Sequence, residues 1–155
     1  TLVNNAGYGV PGRFLSSDWQ VHADFLQVMI VAIGQLTHLY LPAMESAGRG
    51  RILNIASLAG LVPASAGHTM YGATKAWLIR FSECLALEVG PKGVHVTALC
   101  PGFVDTDLVA DVTDMPHEDM SRPEDLARIV ALVVQLPNNA AIAEVLVNCR
   151  YETML

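Results

Sequence analysis

Four short apolar runs punctuate this 155-residue chain: Leu2-Val3-Asn4, Arg51–Ala56, Val94–Leu99 and Ile142–Val147. Longer segments with helical periodicity lie between them. This alternation constrains the fold more than any other feature. A strand buried on both faces reads as a nearly continuous apolar run, because neither face can be polar. Strands alternating with helices imply a parallel sheet joined by right-handed crossovers. The expected class is therefore α/β, a doubly wound parallel sheet in the order β-α-β-α-β-α-β. In such sheets the working groups gather outside the carboxyl ends of the strands. That rule points to Asn4–Gly7, Ser57 and Pro101–Thr106.

The helical segments carry their own signals. Ser17 followed by Gln20 suits a capping box and predicts a helix from near Asp18. Leu26, Ile30, Ile33, Thr37 and Leu41 recur at helical spacing, and Pro42, Gly48 and Gly50 are expected to end that region. Met70–Glu88 reads as a second helix with Trp77, Leu78, Phe81 and Leu85 on one side. Ser121 with Glu124 is a second capping box, opening a helix to about Gln135. The stretch Phe25–Met44 contains Gln27, Gln35, His38 and Pro42. A span needs ~20 predominantly apolar residues, so this stretch reads as a buried helix and no membrane span is expected.

Composition removes several function classes. Nine Lys+Arg stand against 15 Asp+Glu, a net charge of −6. That sign opposes bulk-charge binding to nucleic acid or anionic lipid. Apolar residues reach 52%, too many for a disordered chain. Charged residues are only 15%, where an ordinary domain has roughly 25%, as if this were the inside of something larger. The chain is one domain's worth at most. It opens without a basic-then-apolar leader. Cys84, Cys100 and Cys149 form no C-x-x-C pair, so reduced, buried thiols and a cytoplasmic setting are expected. His22, His38, His68, His95 and His117 show no ligand spacing, and no metal is expected. His68, three residues before Tyr71, is a candidate for the border of a substrate pocket.

Tyr71 and Lys75 form the strongest chemical pair. They stand at i and i+4 near the start of a helix, on one face. A neighbouring ammonium favours a phenolate and lowers the pKa of the tyrosine, which suits it to proton transfer near neutral pH. The bland alternative is a surface pair without a role. Ser57 follows the second apolar run directly, fourteen residues before Tyr71, and a loop of that length can fold back to bring hydroxyl and phenol together. There Ser57 can hydrogen-bond a carbonyl oxygen as charge develops on it; its bland alternative is a turn serine. Ile55 and Ala59 occupy the glycine places of G-x-S-x-G, which argues against a nucleophile elbow. Gly7–Gly12 matches G-x-G-x-x-G in letters only. The phosphate-binding fingerprint needs a helix opening at the loop and an acid about 20 residues on, whereas this helix is expected later and Asp24 falls within it. The loop reads as a mobile rim.

Asn4-Asn5-Ala6-Gly7, Ser57, Tyr71-x-x-x-Lys75 and Pro101-Gly102 with Thr106 follow one another in an order and spacing that resemble the short-chain dehydrogenase/reductase family. The resemblance covers essentially the whole chain, as the C-terminal two-thirds of such a domain. It implies a Rossmann-like fold and an oxidoreductase that interconverts a ketone or aldehyde with an alcohol, using NAD or NADP. LTHLYLPAM and GRILNIAS resemble the branch with broad carbonyl substrates, which favours NADP slightly. By the same resemblance Asn4, Ala6 and Gly7 line the adenosine side of the cofactor. Tyr71 is the general acid or base, Lys75 holds the nicotinamide ribose, and Ser57 polarises the substrate carbonyl. Pro101, Gly102, Val104 and Thr106 bracket the nicotinamide. The segment Asp105–Met120 is a substrate lid, and a homodimer or homotetramer forms through the two long helices when the protein is full length.

Two departures stand out. The family's glycine-rich cofactor loop and first strands are not in this chain and are expected before Thr1, so the 155 residues alone are expected to bind NAD(P)H poorly. Many members carry an asparagine thirteen residues before the proline of the Leu-Pro turn, and here that position is Met29. A thioether cannot join a hydrogen-bonded water relay. Met29→Asn is expected to leave or raise the reductase rate in a full-length version; a large fall in kcat would show the register to be wrong. Two other readings remain: a fold-sharing binding protein without catalysis, and an extended relative acting as an epimerase or dehydratase. The second needs a larger C-terminal substrate domain than the short tail after Val147 provides.

Overall fold

The computed structural model describes residues 1–64, 66–110 and 115–150. Four parallel strands form one sheet in spatial order β1-β2-β3-β4: Leu2–Asn4, Gly50–Ile55, Val94–Pro101 and Glu144–Val147. Leu2 pairs with Ile52, Ile52 with Val96, and Ala98 with Glu144. Because all strands run the same way, Asn4, Ser57 and Pro101 reach the same edge. The first and last strands are shorter than the apolar runs suggest. The Ala143 carbonyl still accepts the Ala98 N–H at 2.9 Å.

Strand alternation sends Ile52, Asn54, Val96, Ala98 and Cys100 to one face. There they meet α2 (Ile33–Ser46) and α3 (Thr69–Val89), with Leu78, Ile79, Leu85, Val89 and Met44 completing the apolar layer. Val3, Ile55 and Leu99 face the other way, toward Pro123, Leu126 and Val130 of α4 (Pro123–Gln135), around a cavity of about 400 Å³. Arg51 shares that side. Its Nη2 donates to the carbonyls of Leu136, Pro137 and Ala140 and so ties the end of α4 to the start of β2.

The first long helix departs from its expected pattern. It begins as α1 (Trp19–Leu26), widens into a π-helical segment over Gln27–Ala32 and continues as α2. Its buried stripe is Phe25, Met29, Ile33 and Thr37, while Leu26, Ile30 and Leu41 are only half-buried. A strict four-residue repeat drifts around a 3.6-residue turn, and the wider i→i+5 turn absorbs that drift. Pro42 does not end the helix, because it stands on the exposed side with His38, the residue whose carbonyl it cannot bond. The stop is Gly48 at φ +62°. The Gly48 N–H reaches the Glu45 carbonyl and the Arg49 N–H the Met44 carbonyl, a Schellman closure.

Neither capping box forms. Asp18 is the N-cap of α1, without a side-chain bond, and Gln20 donates to Asp24. Arg122 caps α4 ahead of Pro123 and pairs with Asp125, while Ser121 bridges to Val104. The helix Trp19–Ser46 is long and apolar enough to cross a membrane by length and composition. It is not buried throughout: one stripe packs on the sheet, and Trp19, Leu36, Leu39 and Tyr40 are exposed. Cys84 is likewise exposed, whereas Cys100 and Cys149 are buried.

A buried polar chain crosses the sheet. Asn4 Nδ2 donates to Asn54 Oδ1 at 2.8 Å, Asn54 Nδ2 to Ser82 Oγ at 2.8 Å, and Ser82 Oγ to the Leu78 carbonyl at 2.7 Å. Asn54 is fully buried. Replacing it by Leu strands the Asn4 amide and the Ser82 acceptor without partners. Loss of about 2–3 kcal/mol of stability is expected, measurable as a lower urea midpoint; an unchanged midpoint would show that the chain adds nothing.

Candidate active site

Ser57 leaves β2 in extended geometry and caps the 3-10 turn Leu58–Gly60. Its Oγ accepts the Ala59 N–H at 3.1 Å and donates to the Pro101 carbonyl at 3.4 Å. The turn brings Gly60 flat against α3. A Cβ built on Gly60 would lie 2.7 Å from the Ala76 nitrogen and 2.7 Å from the Lys75 carbonyl carbon. This glycine lets the segment after β2 press onto the helix that carries Tyr71 and Lys75. The Tyr71 phenol stands near enough to the Ser57 hydroxyl to feel it. One turn on, Lys75 is 6% exposed; its Nζ donates to the Ile55 carbonyl at 2.7 Å and lies 5.6 Å from the centre of the Tyr71 ring. Serine, tyrosine and lysine thus converge from two elements at the carboxyl edge of the central strands.

The electrostatics differ from expectation. Burial raises the Tyr71 phenol above its ordinary value of 10.0, and the neighbouring Ser57 hydroxyl opposes it. The Lys75 ammonium, bonded to the Ile55 carbonyl, does not outweigh that burial. Burial instead lowers Lys75 from 10.5 to about 8, against a smaller upward pull from Cys100. Between these two values the unfolded chain binds more protons than the folded one, so stability rises with pH from about 8 to 10.5. Below that window the folded protein bears the full cost of the buried ammonium. Lys75→Met should therefore stabilise the protein at pH 7 by about 1–2 kcal/mol, net of the lost bond to Ile55. The gain should vanish toward pH 10.5. Destabilisation at pH 7 in chemical denaturation would refute this.

Asn4 is buried at the end of β1, with its Nδ2 bonded into the polar chain and its Oδ1 without a hydrogen-bond partner, and Asn5, Ala6 and Gly7 follow in the open. Gly7 lies on Met29: a Cβ there would stand 3.1 Å from Met29 Sδ. Met29, 2% exposed, thus supports the loop from below with a thioether. The rim loop that follows is pinned by the Gly12 N–H on the Gly67 carbonyl at 3.0 Å, and Gly12 adopts φ +99°. It contains no helix opening at the glycines. His68 is exposed at the N-cap of α3.

On the other flank, Pro101 ends β3, and the Gly102 N–H donates to the Val147 carbonyl at 2.8 Å. Val104 bridges to Ser121, and Thr106 Oγ1 donates to the Val104 carbonyl at 3.3 Å. His117 Nδ1 and Asp105 Oδ1 meet at 2.6 Å, joining the two ends of the segment expected to form the lid. Its middle, 111–114, lies outside the described residues.

The donor set fits a nicotinamide dinucleotide. The Lys75 ammonium has three donors, of which Ile55 takes one, leaving two for a vicinal diol. Glycine at position 7 lets a ligand approach the backbone closely. Among the described residues, no three of His, Cys, Asp and Glu stand close enough to hold a metal ion.

The sequence also resembles known proteins. The ketoacyl reductase HetN of Nostoc sp. is 35% identical over 137 residues, which cover 86% of this chain and 47% of that protein. The crystal structure of serine dehydrogenase from Escherichia coli superposes with a TM-score of 0.78 at 30% identity, over 94% of this chain and 61% of that one. The closed form of serine dehydrogenase complexed with NADP+ gives 0.82 at 28% identity, over 94% and 62%. The chain spans about half the length of the curated relatives it matches. A sequence model of the short chain dehydrogenase family matches residues 1–117. With the parallel sheet and the carboxyl-edge site in place, this chain belongs to the short chain dehydrogenase family.

Proposed function

We propose that the protein is an NAD(P)-dependent oxidoreductase that interconverts a ketone or aldehyde with an alcohol, resembling the 3-oxoacyl and broad carbonyl reductases. The observation that carries this reading is the convergence of Ser57, Tyr71 and Lys75. When bound, the nicotinamide cofactor supplies the hydride. In this reading Ser57 Oγ hydrogen-bonds the carbonyl oxygen, and Tyr71 gives its proton to the same oxygen as the alcohol forms. The raised pKa of Tyr71 keeps it protonated and suited to reduction at neutral pH. Lys75 holds the ribose hydroxyls with its two spare donors. Asn4, Ala6 and Gly7 border the adenosine side, and Pro101, Gly102, Val104 and Thr106 bracket the nicotinamide. NADP is the favoured cofactor.

The chain is read as part of one dinucleotide-binding domain of a cytoplasmic protein that takes small carbonyl or alcohol substrates. The exposed Leu36, Leu39 and Tyr40 on α2 and the stacked Trp77 and Phe81 on α3, 5.0 Å apart, suit the expected homodimer or homotetramer. The test is NAD(P)H fluorescence of the natural full-length protein against a panel of ketones. Cofactor-dependent turnover supports the reading. Cofactor binding without turnover of any ketone would favour a non-catalytic binding protein, the outcome to which Met29 points.

A further inference from the structure

Among the buried polar atoms left without a hydrogen-bond partner are Oδ1 of Asn4 and Oγ1 of Thr37. Asn4 is 6% exposed at the end of β1, and Thr37 is 3% exposed on α2. Buried polar groups are almost always paired, with protein or with an ordered water. The polar chain that crosses the sheet does not supply the pairing. The Asn4 amide nitrogen donates to Asn54, and Asn54 continues to Ser82, but neither bond uses the Asn4 oxygen or reaches α2.

Packing brings the two atoms to one layer. α2 lies over β1 and β2, on the face that carries Leu2, Asn4, Ile52 and Asn54. Toward the carboxyl edge, Ile33 packs with Ala56, Ala98 and Cys100. Toward the other edge, Leu41 and Met44 pack with Leu2, Ile52 and Val96. Four helical residues rise about 6 Å and two strand residues about 6.6 Å, so helix and strands keep step. Thr37 lies one turn after Ile33 and one turn before Leu41. It therefore meets the layer between Ala56 and Ile52, which is Asn54 with its register partner Asn4. The two atoms do not bond each other directly. A hydroxyl donates and accepts, whereas an amide oxygen only accepts. A water that accepts from Thr37 and donates to Asn4 satisfies both.

We propose that an ordered water is held between Thr37 Oγ1 and Asn4 Oδ1, and that Thr37 is thereby a positioning residue for the loop Asn4–Gly7. The water extends the polar chain from Ser82 and Asn54 through Asn4 to α2. Held by two bonds, the Asn4 side chain fixes the end of β1 from which Asn5, Ala6 and Gly7 depart. Held by one, that turn is ordered only when cofactor binds, and the ordering weakens affinity. The consequence for affinity rests on the oxidoreductase reading; the water does not.

The experiment is a crystal structure of the natural full-length protein, with Thr37→Val and Thr37→Ser beside it. In the wild type an ordered water is expected within about 2.6–3.2 Å of both atoms. Valine keeps the shape of threonine and removes the hydroxyl, so in Thr37→Val the water should be gone. The Kd for NADPH or NADH, read by calorimetry, should rise by about three- to tenfold, the worth of one neutral hydrogen bond, with kcat at saturating cofactor changed less than about twofold. Thr37→Ser keeps the hydroxyl and should keep both the water and the wild-type affinity. A wild-type structure without the water, with Thr37 Oγ1 turned to the Ile33 carbonyl or Asn4 Oδ1 bonded to a protein group, overturns the proposal, and does so even if Thr37→Val fails to fold. So does an affinity unmoved in Thr37→Val, or weakened as much in Thr37→Ser. If the water is present and the wild-type protein binds neither cofactor, the water stands and the oxidoreductase reading falls.

Discussion

Tyr71→Phe is expected to lower kcat for ketone reduction by about 10²- to 10⁴-fold, the usual worth of a positioned general acid. Cofactor affinity should be almost unchanged. The phenyl ring keeps its place beside the Lys75 ammonium, which keeps its bond to the Ile55 carbonyl, so the ribose-binding donors remain. What disappears is the proton and the phenol oxygen beside Ser57. The loss should therefore fall on kcat, with KM for the ketone little altered, as for an interaction made chiefly in the transition state. Steady-state rates together with calorimetric titration of the cofactor separate the two effects. Equal loss of cofactor binding and turnover would mean that Tyr71 is structural. Full activity would remove it from the chemistry.

Gly60→Val is expected to be the most damaging single change outside the reacting groups. The side chain would enter the backbone of α3 at Lys75 and Ala76, where a Cβ already stands 2.7 Å from two backbone atoms. Backbone cannot yield as a flexible side chain can, so either the turn after Ser57 lifts or α3 moves. Overpacking of this kind costs about 3 kcal/mol at the upper end of its usual range. The same displacement separates Ser57 from Tyr71 and Lys75, and a shift on the order of 1 Å costs about 100-fold in rate. The two effects should appear together, as a lowered denaturant midpoint and a lowered kcat in the fraction that remains folded. A stable, fully active Gly60→Val protein would show that the contact between turn and helix does not set the site.

The elements that sequence reveals best are those whose signal is local. The strands are legible because β2 and β3 are buried on both faces and carry unbroken apolar runs. Tyr71, Lys75 and Ser57 are legible because helical spacing and a fixed loop length place them. What escapes depends on neighbours far along the chain. Asn54 and Ser82 look like ordinary polar residues until the sheet and α3 bring them together with Asn4, 50 residues away from Asn54. Gly60 carries no turn signature, and its reason lies in the backbone of α3. The stripe of the first helix is misplaced because a regular 3.6-residue period does not anticipate the π-helical turn at Gln27–Ala32. The expected depression of Tyr71 fails because proximity in sequence shows the charge of Lys75 but neither the burial of the phenol nor the turn of the ammonium toward Ile55.

Isotope transfer tests the central claim most directly. The natural full-length protein is incubated with NADPH or NADH deuterated at the transferable position of the nicotinamide and with a panel of ketones, and the products are read by mass spectrometry. The account predicts deuterium on the carbinol carbon of at least one alcohol product, lost in parallel with turnover in Tyr71→Phe. Bound cofactor with no deuterium in any product, or transfer undiminished in Tyr71→Phe, would contradict it.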